Sequence, residues 1–222
     1  MKISIVVPFY NEEKHISEVL QGLTKFKLPI VLVDDGSSDN YEGKIKNLSA
    51  KGVTLLKHKI NIGKGAAMKT GADFAFGDGA DAVIFIDGDN QHNPEDIVKF
   101  VDALKSANID AVFGTRNYNY SVPLVRYLGN KFASLVLAML FNIYVSDVLC
   151  GFKAFTKKGY EKIRWDSTGY GVETEMIARV GKTKIKFLEV PIKAIYHDKN
   201  KGVTILDAVG IMAEIIKWRF TI

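Results

Sequence analysis

Apolar runs and polar breaks alternate along the first half of the chain. ISIVVP (3–8), IVLVDD (30–35), VTLLKH (53–58), AVIFID (82–87) and DAVFGT (110–115) are short and rich in Val and Ile. Their apolar positions are mostly consecutive, the pattern of strands covered on both faces rather than half-exposed ones. Helical stretches fall between them. Asn11 reads as a helix cap, with Glu12 and Glu13 in the first turn where the helix dipole favours them. A helix is predicted from about Gly65 to Phe76, and Pro94 suits the first turn of the next. Buried strands separated by helices predict an α/β fold with a mostly parallel central sheet flanked by helices.

The second half is less regular. Residues 122–145 read as a very apolar helix, 151–156 as a short strand, 171–181 as a helix and 184–192 as a strand. A long helix is expected from Val203 to the end. No repeat, low-complexity tract or linker-like shift divides the chain. One domain is expected, residues 1–202, with residues 203–222 as an amphipathic helix belonging to it. In that last helix Asp207, Gly210, Glu214, Lys217 and Thr221 form one narrow polar stripe, and nearly everything else from Ile205 to Ile222 is apolar. A soluble helix shows a narrower apolar face, so this one is expected in a membrane interface or against a partner subunit. Trp218, between Lys217 and Arg219, reads as an interfacial anchor. Phe132 to Phe141 is apolar except for Ser134 and too short to span a bilayer; it fits a core helix and a lipid-facing one equally.

Composition narrows the classes. With 222 residues, 47% hydrophobic and 25% charged, the chain is globular rather than disordered. A net charge of +5 and a pI of about 9.1 fit anionic partners: nucleic acid, anionic lipid or a phosphorylated substrate. The single cysteine, Cys150, excludes an internal disulfide and points to a reducing compartment. MKISIVVPFYNEE has too short an apolar run for a signal peptide and reads as the first strand. No stretch of about 20 apolar residues predicts a membrane-spanning helix.

The chemistry gathers where the predicted parallel strands end. The first ends in Pro8-Phe9-Tyr10-Asn11-Glu12, the second in Asp34-Asp35-Gly36-Ser37, the fourth in Asp87-Gly88-Asp89, the fifth in Gly114-Thr115-Arg116. Open α/β sheets bind ligands along that edge. DDGSSD alone is equally an ordinary turn. Asp87 and Asp89 flank Gly88, so two carboxylates on a tight turn can face one hard cation, with Gln91 adding an amide oxygen. Oxygen-only ligands suit Mg²⁺ or Mn²⁺. Gly88 leaves room for a ligand to approach the backbone. His92 is a candidate ligand but reads better as an ordinary loop histidine, and a solvated acidic loop is the plain alternative for the whole cluster. Asn61-Ile62-Gly63-Lys64-Gly65 enters a helix but lacks the spacing of a P-loop or a dinucleotide fingerprint. Its helix N-terminus and Lys64 still favour an anion.

VVPFYNEE, VDDGSSD, NIGKGAAMKTG, DGDNQHNP, GTR and DVLCGFKAF occur in this order between residues 5 and 155. Together they resemble the family 2 glycosyltransferases, which have the GT-A nucleotide-diphospho-sugar transferase fold. Within them they look most like the polyprenyl-phosphate branch, the dolichyl-phosphate mannose or glucose synthases. The resemblance implies that Pro8, Tyr10, Glu12, Val33 and Asp35 hold the nucleotide and that Asp87 and Gly88 contact the nucleotide sugar, with Lys64 beside them. It implies that Asp89 and Gln91 hold Mg²⁺ or Mn²⁺ on the diphosphate. Arg116 would sit near the diphosphate or the acceptor phosphate, and Asp147 by the acceptor with Lys153 nearby, so Asp89, Arg116 and Asp147 form the expected catalytic set. Cys150 reads as a packed thiol.

The implied reaction is inverting, metal-dependent transfer of a hexose or N-acetylhexosamine from a GDP- or UDP-sugar to a polyprenyl (dolichyl) phosphate. The metal-bound diphosphate leaves as the better leaving group. A hydroxyl acceptor needs a general base; a lipid monophosphate, with a second pKa near 6, is already largely an anion. Asp147, Glu173 or Glu175 are the carboxylates available as a base, at most one of the two glutamates facing the site. Surface solvation or a helix-pair contact is the plain reading of both glutamates. Mannose synthases commonly carry Arg-x-x-Gly-x-Ser-Lys after the last strand. Here the run is Lys199-Asn200-Lys201-Gly202-Val203-Thr204-Ile205, which leaves Lys199 and Lys201 to meet phosphate without a bidentate fork and leaves UDP-sugars open. The expected partners are the donor, the lipid phosphate, the membrane surface and a small anchoring subunit or a second copy, with no nucleic acid. The expected location is peripheral, at the cytoplasmic face of a membrane. The rivals are a same-fold transferase acting on a sugar or protein hydroxyl, a catalytically inactive nucleotide-binding subunit and, remotely, a nucleotidyltransferase.

Overall fold

The computed structural model describes residues 1–46, 52–106, 108–116, 124–193, 195 and 205–222, with side chains left out at 124–126 and 205–209. The predicted strands are β1 (Ile3–Phe9), β2 (Ile30–Asp34), β3 (Val53–Lys57), β4 (Ala82–Phe85), β5 (Ala111–Arg116), β6 (Lys153–Thr156) and β7 (Phe187–Ile192). They form one seven-stranded sheet in the order β3-β2-β1-β4-β6-β5-β7. β6 pairs antiparallel with both β4 and β5, and the remaining pairs are parallel. β1 lies between β2 and β4, so the connections diverge to either side of it and open a crevice at the carboxyl edge.

The consecutive apolar positions of β1 are explained by two layers of core. Ile3, Ile5, Val7 and Phe9 face one layer, with the buried side of α1 (Ile16–Leu23) and α4 (Ile97–Lys105) and with Ile45 from the short α2 (Glu42–Ile45). Val6, Val31, Val33, Val83 and Phe85 face the other, with α3 (Lys64–Gly77), α5 (Leu124–Phe141), α6 (Lys157–Ile163), α7 (Val172–Thr183) and α8 (Ile205–Thr221). Alternation along a strand therefore sends successive apolar residues to opposite, equally dry faces.

Several expectations change. The first helix begins at Ile16, not after Asn11. Asn11 takes a left-handed backbone (φ 54°), and its Oδ1 accepts from the N–H groups of Ser38 (2.8 Å) and Asp39 (3.3 Å), tying two loops instead of capping a helix. Pro94 does open a helical turn: Asn93 caps it by accepting from Glu95 N–H at 3.1 Å. The apolar run of α5 is split by its period. Ala133, Leu137 and Phe141 are buried, while Leu128, Phe132, Leu135 and Met139 form one exposed apolar stripe. α8 packs against α5 and α7 and buries Ile211, Ile215 and Trp218. Trp218 thus belongs to the protein's own core and is not an interfacial anchor. Gly171 lies close to the same helix: a Cβ there would fall 2.4 Å from Glu214 Oε2. Ile216 and Phe220 are what α8 leaves exposed, the latter at 83%. No helix among the described residues is long and apolar enough to cross a membrane.

Candidate active site

The carboxyl edge gathers the polar strand ends. After β2, Asp34 accepts from Ser37 N–H and from the Tyr41 hydroxyl, each at 2.7 Å, and so closes its own turn. Asp35 reaches across to the loop before α3. Its oxygens accept from Ile62 N–H (3.1 Å) and Gly63 N–H (2.7 Å), and His58 Nδ1 lies 2.7 Å away. That carboxylate is buried and serves the loop. Gly36 and Gly63 both have positive φ, 76° and 113°, and a Cβ on Gly36 would lie 2.4 Å from the Ile60 carbonyl carbon. The loop therefore seats only over glycine. Pro8 and Val33 are buried beneath the same edge, Tyr10 is exposed above it, and Glu12 is half-buried.

After β4, Asp87 and Asp89 part company. Asp87 Oδ1 lies 2.7 Å from Lys64 Nζ, and Oδ2 lies 3.5 Å from His92 Nε2. Burial opposes the charged carboxylate, but Lys64 and then His92 outweigh it and hold Asp87 well below the usual carboxylate range. Lys64 also stands 2.7 Å from Glu173 Oε1. Burial alone would lower its pKa; Asp87 and Glu173 reverse that and hold the ammonium charged well above the usual lysine range. His92 is buried, packed 5.5 Å from the Phe152 ring, with Nδ1 unpartnered among the described residues. The reading of an ordinary loop histidine therefore fails. Asp87 has room because residue 151 is glycine: a Cβ there would fall 2.0 Å from Asp87 Oδ2. The space above Gly88 is already filled by Phe9, whose Cβ would be 2.7 Å from an added Cβ, so packing of β1 requires this glycine.

Asp89 is half-exposed and accepts from Gln91 N–H at 3.1 Å. Among the described residues no group of three or more His, Cys, Asp or Glu could enclose a metal ion. A half-exposed carboxylate with a neighbouring amide, and Asp87 already ion-paired, fits a hard cation that keeps waters and takes phosphate oxygens. It does not fit an all-protein cage.

On the far side of β6 stands a second charged centre. Arg116 Nε donates to Asp147 Oδ2 (2.7 Å), its Nη2 to Oδ1 (2.8 Å), and its backbone N–H to Oδ2 (3.0 Å). Asp147 is fully buried and Arg116 partly exposed. The carboxylate is engaged on both oxygens, so it orients the guanidinium; its geometry does not suit a general base. Asn130 holds the same loop, its Oδ1 accepting from Val148 N–H (3.0 Å) and Leu149 N–H (3.3 Å). Lys153 lies under this centre, not in it. It is 0% exposed, donates to the Val148 carbonyl (3.1 Å) and sits 5.3 Å over the Phe113 ring, and burial holds its pKa below the usual lysine value. Direct contact with an acceptor phosphate is out of its reach in this arrangement. Cys150 is a packed thiol, pushed up to about 12 by burial. Lys199 and Lys201 lie outside the described residues.

Both glutamates of α7 are buried, against the expectation of solvated or helix-pair residues. Glu175 accepts from Asp166 N–H (2.9 Å), Ser167 N–H (2.7 Å) and Arg179 Nε (2.6 Å). It thereby fixes the 166–168 loop, whose carbonyls abut Gly63 and Gly65. Glu173 turns the other way, to Lys64. The signal in the sequence was the pair of carboxylates opening a helix of otherwise buried residues, GVETEMIARV.

Comparison with known proteins adds the following. The family model described as Glycosyl transferase family 2 matches residues 4–171. An uncharacterized protein of Methanocaldococcus jannaschii is 34% identical over 97% of this chain and 98% of its own length. The UDP-N-acetylglucosamine--dolichyl-phosphate N-acetylglucosaminyltransferase of Methanococcus voltae is 33% identical over 88% of this chain and 86% of its own. Among solved structures, glucosyl-3-phosphoglycerate synthase from Mycobacterium tuberculosis, in complex with Mn²⁺, UDP-glucose and phosphoglyceric acid, superposes with a TM-score of 0.74. The match is at 21% identity, over 100% of this chain and 80% of that one. That likeness is one of fold.

Proposed function

The chain belongs to glycosyl transferase family 2, a glycosyltransferase of the GT-A fold, and on that premise we propose that it moves a hexose or N-acetylhexosamine from a nucleotide sugar to a polyprenyl phosphate. The observation that carries the acceptor is the Arg116–Asp147 pair: a partly exposed guanidinium, fixed by a buried carboxylate, at the carboxyl edge. A guanidinium is the side chain best matched to phosphate, and Asp147 fixes this one in orientation at the edge. The dolichyl-phosphate relative from Methanococcus voltae supports the same acceptor class.

The reaction needs little from the protein beyond placement and charge. Asp89 and Gln91 would hold a divalent cation, Mg²⁺ or Mn²⁺. When bound, that ion supplies compensation for the negative charge growing on the departing nucleoside diphosphate. Tyr10 and Glu12 flank the edge where the nucleotide would lie, and Asp35 keeps the loop before α3 closed over β2. Arg116 draws the acceptor phosphate, already largely dianionic at neutral pH, to the face of the sugar opposite the diphosphate. Attack from there inverts the anomeric carbon. Asp147 holds Arg116 for that purpose, and no residue has to remove a proton.

The acceptor's tail lies in a lipid surface, and the exposed stripe of α5 supports docking there: Leu128, Phe132, Leu135 and Met139, with Ile216 and Phe220 of α8. Lys217 and Arg219 are exposed on α8 beside them, complementary to anionic headgroups at the cytoplasmic face.

The test is a transfer assay. Purified protein, Mn²⁺ or Mg²⁺, a panel of labelled UDP- and GDP-sugars and short polyprenyl phosphates are incubated, and organic-extractable label is counted. Label from one donor, lost in Asp89→Ala, is the expected result. No label from any donor, with nucleotide binding intact, overturns the lipid-phosphate acceptor.

A further inference from the structure

The carboxyl edge carries one carboxylate that neither cation nor nucleotide chemistry uses. Glu173 is 4% exposed and, among the described residues, has Lys64 as its partner at 2.7 Å. Glu175, two residues on, shows how this fold satisfies a carboxylate that is purely structural: two backbone N–H groups and an arginine saturate it. Among the described residues Glu173 has no such set. Its Oε1 shares a single ammonium with Asp87, so two negative side chains divide one positive one. Each carboxylate oxygen can accept more than one hydrogen bond, so a carboxylate held by one shared ammonium keeps acceptor capacity that a ligand can use.

Strand order says which part of a ligand meets it. Tyr10 follows β1 and Asp35 follows β2, on one side of β4; Arg116 ends β5, on the other side beyond β6. Asp87, Asp89 and the lysine reaching Asp87 stand between them. A donor with its nucleotide toward β1 and β2, its diphosphate at Asp89 and its acceptor at Arg116 must place the sugar over this interval. Glu173 borders it from the first turn of α7, through Lys64.

We infer that Glu173 is a specificity-determining residue that reads the donor sugar. Its second carboxylate oxygen accepts a hydrogen bond from a hydroxyl of the hexose or N-acetylhexosamine being transferred. Lys64 fixes both that carboxylate and Asp87 for the contact. This rests on the glycosyl-transfer reading above. Glu173 is not a proton acceptor in it, because the acceptor phosphate brings no proton that must leave.

The test separates sugar from nucleotide by binding alone. Wild type, Glu173→Ala and Glu173→Gln are titrated calorimetrically, in Mn²⁺, with UDP, UDP-N-acetylglucosamine, UDP-glucose, GDP and GDP-mannose. In Glu173→Ala the free diphosphate should bind within about twofold of wild type. The sugar-bearing partner should weaken about tenfold or more, the scale of a lost hydrogen bond to a charged group. Glu173→Gln, the same shape with a neutral acceptor, should recover part of the loss. Equal weakening of diphosphate and nucleotide sugar would make the residue structural and overturn the inference. Unchanged binding of both, with or without loss of transfer, would also overturn it. The near-isosteric Gln variant carries the same reading if Ala disturbs folding. Wild type that binds none of the nucleotide sugars would instead fail the glycosyl-transfer reading itself.

Discussion

At the β5 side of the edge, one arginine meets one carboxylate in a two-pronged contact, and Asp147 is wholly buried beneath it. At the β4 side, one lysine is divided between Asp87 and Glu173, with His92 against the far oxygen of Asp87. The first centre is closed: the planar fork matches the carboxylate on both oxygens. The second is open, because a point-like ammonium cannot satisfy two carboxylates as fully as a guanidinium satisfies one. Charge complementarity assigns them. On the proposed function, the anionic acceptor goes to the closed centre and the hydroxyl-rich sugar to the open one.

The most damaging way to break this comparison is to open the closed centre. Asp147→Ala leaves Arg116 without its bidentate partner, and removing one side of a buried pair costs about 3 kcal/mol. The urea midpoint should fall accordingly, and transfer should drop by about two orders of magnitude while nucleotide-sugar affinity stays near wild type. Equal loss of donor affinity would show that the two centres are not separate.

Crowding the open centre comes next. In Gly151→Ala the new methyl group would arrive 2.0 Å from Asp87 Oδ2, so Asp87 must swing away from Lys64 or His92. Overpacking of this kind costs about 1–3 kcal/mol. Donor affinity should fall about tenfold, and the Arg116–Asp147 pair should be untouched, which the salt dependence of acceptor affinity would report.

Glu175 sharpens the contrast as a carboxylate with a structural duty only. Burial opposes its charge, but the Ser167 and Asp166 contacts and Arg179 hold its pKa below the usual glutamate value. A depressed folded-state pKa contributes stability that is present above the unfolded value, about 4.3, and lost as pH falls through the folded one. Unfolding free energy should therefore decline on acidification below about pH 4.5. Glu175→Gln should flatten that decline, measured by denaturant titration at several pH values. An unchanged slope would remove Glu175 from the account.

What the sequence made legible follows the same division. Buried strands announce themselves by composition, because both faces of β1, β2 and β4 are dry and nearly every position short of the strand end is apolar. The residues ending those strands were legible as polar breaks, and Asp87, Asp89, Arg116 and Asp147 all stand at the edge. Side-chain partners were not legible. Whether Lys64 faces an incoming anion or two carboxylates depends on α7 packing across α3, a contact between residues more than a hundred positions apart. The reversal of β6 was equally hidden, since nothing in a four-residue strand, Lys-Ala-Phe-Thr, marks its direction. Trp218 misled for a related reason: an indole beside Lys217 and Arg219 has the composition of an interfacial anchor, and only the packing of α8 on α5 and α7 tells otherwise.

The exposed apolar surface of α5 and α8 is where breaking the protein should change its stability least. α5 shows solvent Leu128, Phe132, Leu135 and Met139 at alternating steps of four and three, with Met139 76% exposed. These side chains support nothing inside the fold, so their cost to stability is small and their meaning lies in what they touch. α8 makes the sharper test, since one helix presents both kinds of position. Ile215 is fully buried and Ile216 exposed, so a glutamate at 215 would bury a charge and unfold the helix, while one at 216 meets only solvent or lipid. Ile216→Glu combined with Phe220→Glu should leave the unfolding free energy within about 0.5 kcal/mol of wild type. The same variant should lose most of its co-sedimentation with vesicles of phosphatidylcholine and phosphatidylglycerol, because two apolar contacts become two like charges facing an anionic surface. Transfer to a polyprenyl phosphate in those vesicles should fall with binding, and transfer to a short, detergent-dispersed acceptor should not. A variant that still sediments with vesicles would place the contact on α5 alone, and Phe132→Glu with Met139→Glu would then have to release it. If neither pair releases the protein, the exposed apolar face meets something other than lipid.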